Sequence, residues 1–114
     1  MSAELLTQGE VEGQIAAYID RLESTTQEFG SLIEAAANAE FEYKRKHDSL
    51  VIGHTNRGTK STTIRPAVAA ACLDEWNLWK MADARVESCR QALLSWRAIL
   101  NALQSLSANI RAQT

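Results

Sequence analysis

The stretch that decides the fold runs from Glu10 to Ile52 and reads EVEGQIAAYIDRLESTTQEFGSLIEAAANAEFEYKRKHDSLVI. An apolar or aromatic side chain recurs in it at every seventh position, at Ile15, Leu22, Phe29, Ala36, Tyr43 and Leu50. A companion row consists of Val11, Tyr18, Thr25, Leu32 and Ala39. A sustained seven-residue repeat is typical of a helix that packs lengthwise against another helix, as in a coiled coil. We therefore predict one long helix over about residues 8–52.

The start and the middle of this helix carry separate signals. Thr7-Gln8-Gly9-Glu10 matches a capping box, with Thr7 as the N-cap and Glu10 three positions later. Gly30 lies in the interior, where glycine weakens a helix by about 1 kcal/mol. Two alternatives remain open for it: a kink or a close helix crossing within one helix, or a break between Ser24 and Gly30.

A polar bend is predicted over residues 53–65. This segment contains two glycines and has no apolar period, and its part from Thr59 to Ile64 is rich in β-branched residues, which gives it extended character. Arg65 precedes a proline and is biased out of the helical region, whereas Pro66 suits the first position of a helix. A second helix is therefore predicted over about residues 66–112.

The second helix carries two seven-spaced rows, one from Val68 to Ile110 and the other from Cys72 to Ser107. After Ala92 the apolar stripe becomes too broad for one partner helix. Either the first helix breaks and doubles back over this face, or other copies of the chain cover it, and we favour an oligomer because large apolar patches are rarely left exposed. The expected oligomer interface consists of Leu93, Trp96, Ile99, Leu100, Leu103, Leu106 and Ile110.

Composition agrees with one helical domain over residues 1–114. The chain has a single proline and 46% apolar residues, so we predict an all-α fold, a long antiparallel two-helix hairpin. Cys72 and Cys89 occupy apolar helical positions and are expected to be reduced. No apolar run approaches the roughly 18 residues that span a membrane, and Met1 to Glu4 lack a cationic region, so we expect a cytoplasmic protein.

Charge is distributed unevenly along the chain. Residues 1–43 have a net charge of −8, residues 44–65 of +5 and residues 66–114 of +1. Such asymmetry suggests a polyanionic or acidic partner for the middle segment, although a solvated basic loop is the plainer alternative. The candidate nucleic-acid ligands are Lys44, Arg45, Lys46, His47, Arg57, Lys60 and Arg65. Tyr43 and His47 could add stacking surface for bases, although the seven-residue repeat favours a place in the core for Tyr43. The helical spacing of the tryptophans favours core or interface roles for Trp76, Trp79 and Trp96.

Catalytic patterns are missing from the sequence. It has no glycine-rich phosphate loop, and His47 and His54 have no cysteine near them to complete a metal site. We expect a protein that is not an enzyme and that uses neither a metal nor another cofactor.

Two segments resemble a known family. They are Glu40-Phe41-Glu42-Tyr43-Lys44-Arg45-Lys46 before the bend and the run CRQALLSWRAILNAL from Cys89 to Leu103. Over about residues 33–112 the chain resembles the UvsY family of phage recombination mediators. The resemblance implies a ring-forming protein without enzymatic activity that binds single-stranded DNA. Such a protein displaces single-strand-binding protein and helps load a RecA-like recombinase. If the chain is phage-encoded, it would act in the cytoplasm of the bacterial host. In that family basic residues just before the bend contact DNA, and the matching positions here are Lys44, Arg45 and Lys46. The family's aromatic residues after the basic pair are replaced here by Asp48-Ser49-Leu50.

A second class of function fits the same features. The apolar and acidic faces could bind a partner protein, so the chain could be an inhibitor or adaptor module, with the basic bend on an acidic surface of that partner. A structural phage component, whose helices serve assembly alone, is a third interpretation.

Overall fold

The computed structural model describes residues 7–113. Three helices make up this part of the chain: α1 is Gln8–Asn56, α2 is Ser61–Ala71 and α3 is Leu73–Gln113. No strand occurs among these residues. The predicted all-α class is therefore confirmed.

The start of α1 follows its capping signal. The backbone N–H of Glu10 donates to Thr7 Oγ1 at 3.1 Å, and the N–H of Val11 donates to the Thr7 carbonyl at 3.1 Å. Thr7 is therefore the N-cap, as predicted, since its side chain satisfies one of the donors that a helix start leaves without a partner.

Gly30 does not divide the first helix. The 49 residues of α1 are helical without interruption, so the alternatives in which the helix breaks or doubles back are wrong. A Cβ atom at Gly30 would meet nothing within 4 Å, so this glycine does not mark a close helix crossing either.

The bend is much shorter than the predicted segment 53–65, because only residues 57–60 separate α1 from α2. Gly58 has a φ of +74°, its N–H donates to the Thr55 carbonyl at 3.1 Å, and the N–H of Thr59 donates to the His54 carbonyl at 3.0 Å. This pair of hydrogen bonds is a Schellman motif with Gly58 in the left-handed position after the helix end. The prediction ended the helix at the wrong glycine, since Gly53 lies inside α1.

The helix that follows the bend also begins at a different residue from the one predicted. Lys60 has extended backbone angles and is the N-cap of α2, and its carbonyl accepts hydrogen bonds from Thr63 and Ile64 at 2.9 and 3.2 Å. The extended character expected from Thr59 to Ile64 is therefore wrong from Ser61 onward. Pro66 lies in the interior of α2, not at its first position, and Arg65 is helical despite the proline that follows it. The five residues from Ser61 to Arg65 are thus helical in front of the proline, against the local preference, and Val68 further along the same helix is buried (1% exposed).

The predicted single helix over residues 66–112 is in fact two helices joined at Cys72. This residue leaves the helical region (φ −101°, ψ 10°) while its N–H still bonds to the Val68 carbonyl at 3.0 Å. On the other side, the N–H of Trp76 bonds to the Cys72 carbonyl at 2.9 Å. Backbone hydrogen bonds of the helical i to i−4 type thus continue on both sides of the junction, and Cys72 is fully buried there.

Burial follows the seven-residue rows closely. Both rows of α1 are buried or half-buried throughout, and so are the two rows that were predicted for the second helix, from Val68 to Ile110 and from Cys72 to Ser107. The buried apolar residues are Val11, Ala36, Val68, Cys72, Ala82, Cys89, Leu93 and Leu103, and the buried polar ones are Thr25 and Ser107. The seam predicted from the repeat is confirmed.

The chain forms two compact units, unit 1 (Met1–Phe29 with Ser88–Thr114) and unit 2 (Gly30–Glu87). In unit 1, Gln8 Nε2 donates to Ser107 Oγ at 2.8 Å, and Cys89 Sγ donates to the Thr25 carbonyl at 3.8 Å. The start of α1 thus meets the end of α3, and a later residue of α1 meets an earlier residue of α3, so the two segments are antiparallel. Both cysteines are free thiols, as expected, and burial raises the pKa of Cys89.

Unit 2 is also built from antiparallel helices. The rings of Tyr43 and Trp79 lie 5.3 Å apart between centroids, and Lys46 of α1 contacts Glu75 of α3. Within residues 7–113, none of the helices has a stretch apolar and long enough to cross a bilayer.

Candidate nucleic-acid interface

The basic residues just before the bend, Lys44 to His47, form a group that we call the helical quartet. Each member has an acidic neighbour. Lys44 Nζ donates to a carboxylate oxygen of Glu40, and Arg45 Nη2 donates to Glu42 Oε2 at 2.7 Å. These hydrogen bonds to carboxylates, one turn earlier on the same helix, raise the pKa of both Lys44 and Arg45.

The other two members of the quartet are paired as well. Lys46 Nζ lies 3.1 Å from Glu75 Oε1, and His47 Nδ1 lies 3.2 Å from Asp48 Oδ1. A groove of about 190 Å³ beside this pair has both signs of charge in its lining: Glu42, Arg45, Lys46, Ser49, Leu50 and Glu75. The quartet therefore presents little uncompensated positive charge, although the sequence made it the most prominent basic run.

The remaining candidates, Arg57, Lys60 and Arg65, form a second group that we call the bend cations. All three are exposed, and none of them forms an ion pair with a carboxylate within residues 7–113. Arg57 Nη2 lies 3.4 Å from His54 Nδ1. No acidic residue occurs between Asp48 and Asp74 in the sequence. The bend thus carries three positive charges that no carboxylate among residues 7–113 pairs with.

The start of α2 adds hydrogen-bond donors to the same place. Lys60 makes no side-chain capping hydrogen bond, and the first turn has no acidic residue. The first N–H groups of a helix have no partner within the helix, and the positive end of its dipole lies there. Ser61, Thr62 and Thr63, which form this first turn, are all exposed and each carries a hydroxyl group.

An aromatic and cationic cluster lies between α1 and α3 in unit 2. The Tyr43 ring is 5.7 Å from His47 and 5.3 Å from Trp79 between centroids, and Lys80 Nζ is 3.9 Å from the centroid of Trp79. Tyr43 and Trp79 are half-buried and pack together, in agreement with the core role that their spacing favours. Trp76 differs, because 42% of it is exposed. Because Trp76 lies outside the two seven-spaced rows, its exposure could have been predicted from the sequence.

The residues expected to form an oligomer interface lie in unit 1 and divide into three classes. Leu93 and Leu103 are buried within the chain, and Ile99 and Leu106 are exposed. The half-buried members are Trp96, Leu100 and Ile110. Part of the broad apolar face therefore packs within unit 1, while Ile99 and Leu106, together with Leu94 (52% exposed), remain on the surface.

No group of three or more histidine, cysteine, aspartate or glutamate side chains within residues 7–113 is arranged to hold a metal ion. Comparison of the chain with protein-family models, with curated proteins and with solved structures finds no match.

Proposed function

We propose that the chain binds single-stranded DNA through the bend cations and acts as a recombination mediator without enzymatic activity. The observation that supports this most is the contrast between the two basic groups. The helical quartet is paired with acids, whereas Arg57, Lys60 and Arg65 are exposed and lie in a segment without any acid. Phosphates bind cations that are free to replace their counterions.

The affinity of one bend is expected to be low. Three phosphate contacts on a single strand give a slope of about −2 in a plot of log K against log salt. Exposed hydroxyls and the N–H donors of α2 can add contacts to phosphate oxygens, which position the strand without reading its sequence.

Avidity would make such a weak site effective. In a homo-oligomer held together through the exposed part of the α3 face, around Ile99 and Leu106, several bends would bind one strand at once. The acidic first part of α1, within the region of net charge −8, would repel DNA and restrict the strand to the bends. Loading of a RecA-like recombinase onto DNA covered by single-strand-binding protein is the activity proposed for this assembly, on the strength of the resemblance to the UvsY family.

The proposal is tested by two triple variants with the same change in charge. One replaces the bend cations (R57A/K60A/R65A) and the other replaces three residues of the quartet (K44A/R45A/K46A). Fluorescence anisotropy with a labelled oligothymidine, over several salt concentrations, measures affinity and salt slope. We expect the bend variant to lose at least tenfold in affinity and most of its slope, and the quartet variant to lose clearly less. Unchanged binding by the bend variant, with helix content intact by circular dichroism, would refute the proposal.

A protein-interaction module is the second candidate, and one observation favours it. Large apolar side chains are exposed along unit 2, among them Phe41, Ile52 and Leu78, each at least 60% exposed. Exposed apolar groups of this kind are found where another protein docks. A pull-down with and without nuclease separates the two functions, because a partner retained after nuclease treatment binds the protein itself and one that is lost was held through nucleic acid.

A further inference from the structure

One face of the second half of unit 2 carries a column of five residues at helical spacing. Arg65 and Ala69 are four apart in α2, and Leu73, Trp76 and Lys80 follow in α3 at intervals of three or four. Hydrogen bonds from Cys72 to Val68 and from Trp76 to Cys72 continue through the junction between the two helices. The column therefore has a cation at each end and apolar groups between them.

A groove of about 300 Å³ opens beside the middle of this column. Its lining is Tyr43, Ala69, Leu73 and Trp76, without any acidic residue. Leu73 is 54% exposed and Trp76 is 42% exposed, so a flat aromatic surface and an aliphatic side chain are both accessible in it. We call this site the Trp76 groove.

A further groove in unit 2 provides a contrast. It measures about 200 Å³ and is lined by Asn38, Ala39, Glu42, Glu75 and Leu78, so two carboxylates border it. Both carboxylates are already paired, Glu42 with Arg45 and Glu75 with Lys46, and no cation lines this groove, so it offers nothing that attracts a phosphate. The surroundings of the Trp76 groove suit an anionic ligand better than those of this groove.

Lys80 supplies the charge that distinguishes the Trp76 groove. Its ammonium lies 5.8 Å from the centroid of Trp76 and 3.9 Å from that of Trp79. Attraction between the ammonium and the ring faces holds the cation beside the groove. Within residues 7–113 no carboxylate forms an ion pair with Lys80.

We propose that the Trp76 groove binds a nucleobase of single-stranded DNA. The base stacks on the exposed face of Trp76 and a phosphate next to it lies near Lys80. Arg65 is fifteen positions earlier, about 22 Å away along the helices, and contacts a phosphate several nucleotides further along the same strand. Base stacking on aromatic side chains within a cationic groove is the common means by which proteins hold single strands without reading sequence. This inference rests on the proposed function, because Arg65 is one of the bend cations and the strand reaches the groove from the bend.

The test compares two strands of equal charge, a 20-mer of thymidine and an abasic 20-mer with the same number of phosphates. The wild-type protein should bind the thymidine strand at least about fivefold more tightly, the factor that corresponds to the weakest stacking contacts measured at other sites. Trp76→Leu keeps an apolar side chain and removes the ring, so it should abolish this preference while leaving affinity for the abasic strand unchanged. Trp76→Phe, which keeps an aromatic ring, should retain part of the preference.

Phe41→Leu is the matched control. It also removes an exposed aromatic ring from unit 2, but Phe41 does not line the groove, so the preference should persist. Equal wild-type binding of the two strands, or a preference that survives Trp76→Leu, overturns the base site while leaving the bend cations in place. Failure of the wild-type protein to bind either strand overturns both the base site and the proposed function.

Discussion

Lys46 Nζ lies 3.1 Å from Glu75 Oε1, and this ion pair connects α1 to α3 in unit 2. The hydrogen bond from Lys46 holds the pKa of Glu75 below its usual value. The two residues are 29 positions apart, so no local pattern in the sequence identifies them as partners. The pair explains why a lysine that belongs to the most basic run of the chain is compensated within the fold.

Removal of the acidic partner should release this lysine for DNA. In Glu75→Gln, we expect tighter binding of single-stranded DNA and a salt slope steeper by up to about 0.7, the contribution of one additional phosphate contact. Anisotropy titrations at three salt concentrations measure both quantities. Asp74→Asn is the control, since it makes the same change in charge at the neighbouring position. An equal gain in both variants would show that net charge alone is responsible.

Acid should weaken unit 2 through the same pair. Because the pKa of Glu75 is lower in the folded chain than in the unfolded chain, the unfolded state binds more protons as the pH falls. The stabilisation is present above the unfolded pKa, near 4.5, and is lost as the pH falls through the lower folded value. Urea unfolding between pH 6 and pH 3 should therefore show a flatter loss of stability in Glu75→Gln than in the wild type. Parallel curves for the two proteins would contradict this role.

Two glycines should respond to alanine in opposite directions. Gly30 lies within a continuous helix and has open space where a Cβ atom would be, so Gly30→Ala should raise the free energy of unfolding by about 0.5–1 kcal/mol. Gly58 also has open space, but its φ of +74° is strained for alanine, so Gly58→Ala should lower stability by roughly 1 kcal/mol. Urea denaturation measures both changes. A loss of stability in Gly30→Ala would indicate that the helix needs flexibility at this position.

Pro66 should limit the stability of α2. In the helix interior Pro66 supplies no N–H for the carbonyl of Thr62, which typically costs the folded state about 3 kcal/mol. Alanine at this position would also stabilise the unfolded chain by about 1 kcal/mol, because the unfolded chain gains conformational entropy. Pro66→Ala is therefore expected to stabilise the protein by about 2 kcal/mol in urea denaturation. Ala70→Pro, in the same helix, should destabilise it by a similar or larger amount. A Pro66→Ala protein no more stable than the wild type would show that the ring of Pro66 makes compensating contacts.

Much of the fold could be predicted from local patterns. The N-cap at Thr7 follows from a short motif, and the buried rows of α1 and α3 follow from a seven-residue repeat that continues along most of each helix. The bend was harder, because Gly53 and Gly58 are both plausible helix ends and only the hydrogen bonds around Gly58 select one of them. Pro66 misled the prediction in the same way, since a proline is plausible at a helix start and only the hydrogen bonds from Thr63 and Ile64 to the Lys60 carbonyl show that α2 begins five residues earlier.

The amino-acid sequence by itself determined that the chain is helical and which faces of its helices are buried, because periodicity and capping are properties of residues close together along the chain. It also placed the basic residues near the bend. The acidic partners of Lys44, Arg45 and His47 lie within four positions of them on the same helix, and only the tertiary structure decided that Lys46 is paired as well. Ion pairing depends on distances between atoms such as Lys46 Nζ and Glu75 Oε1, and these distances are set by how α1 and α3 pack. The same packing leaves Trp76 exposed beside Lys80, where the sequence had favoured a place in the core or an interface.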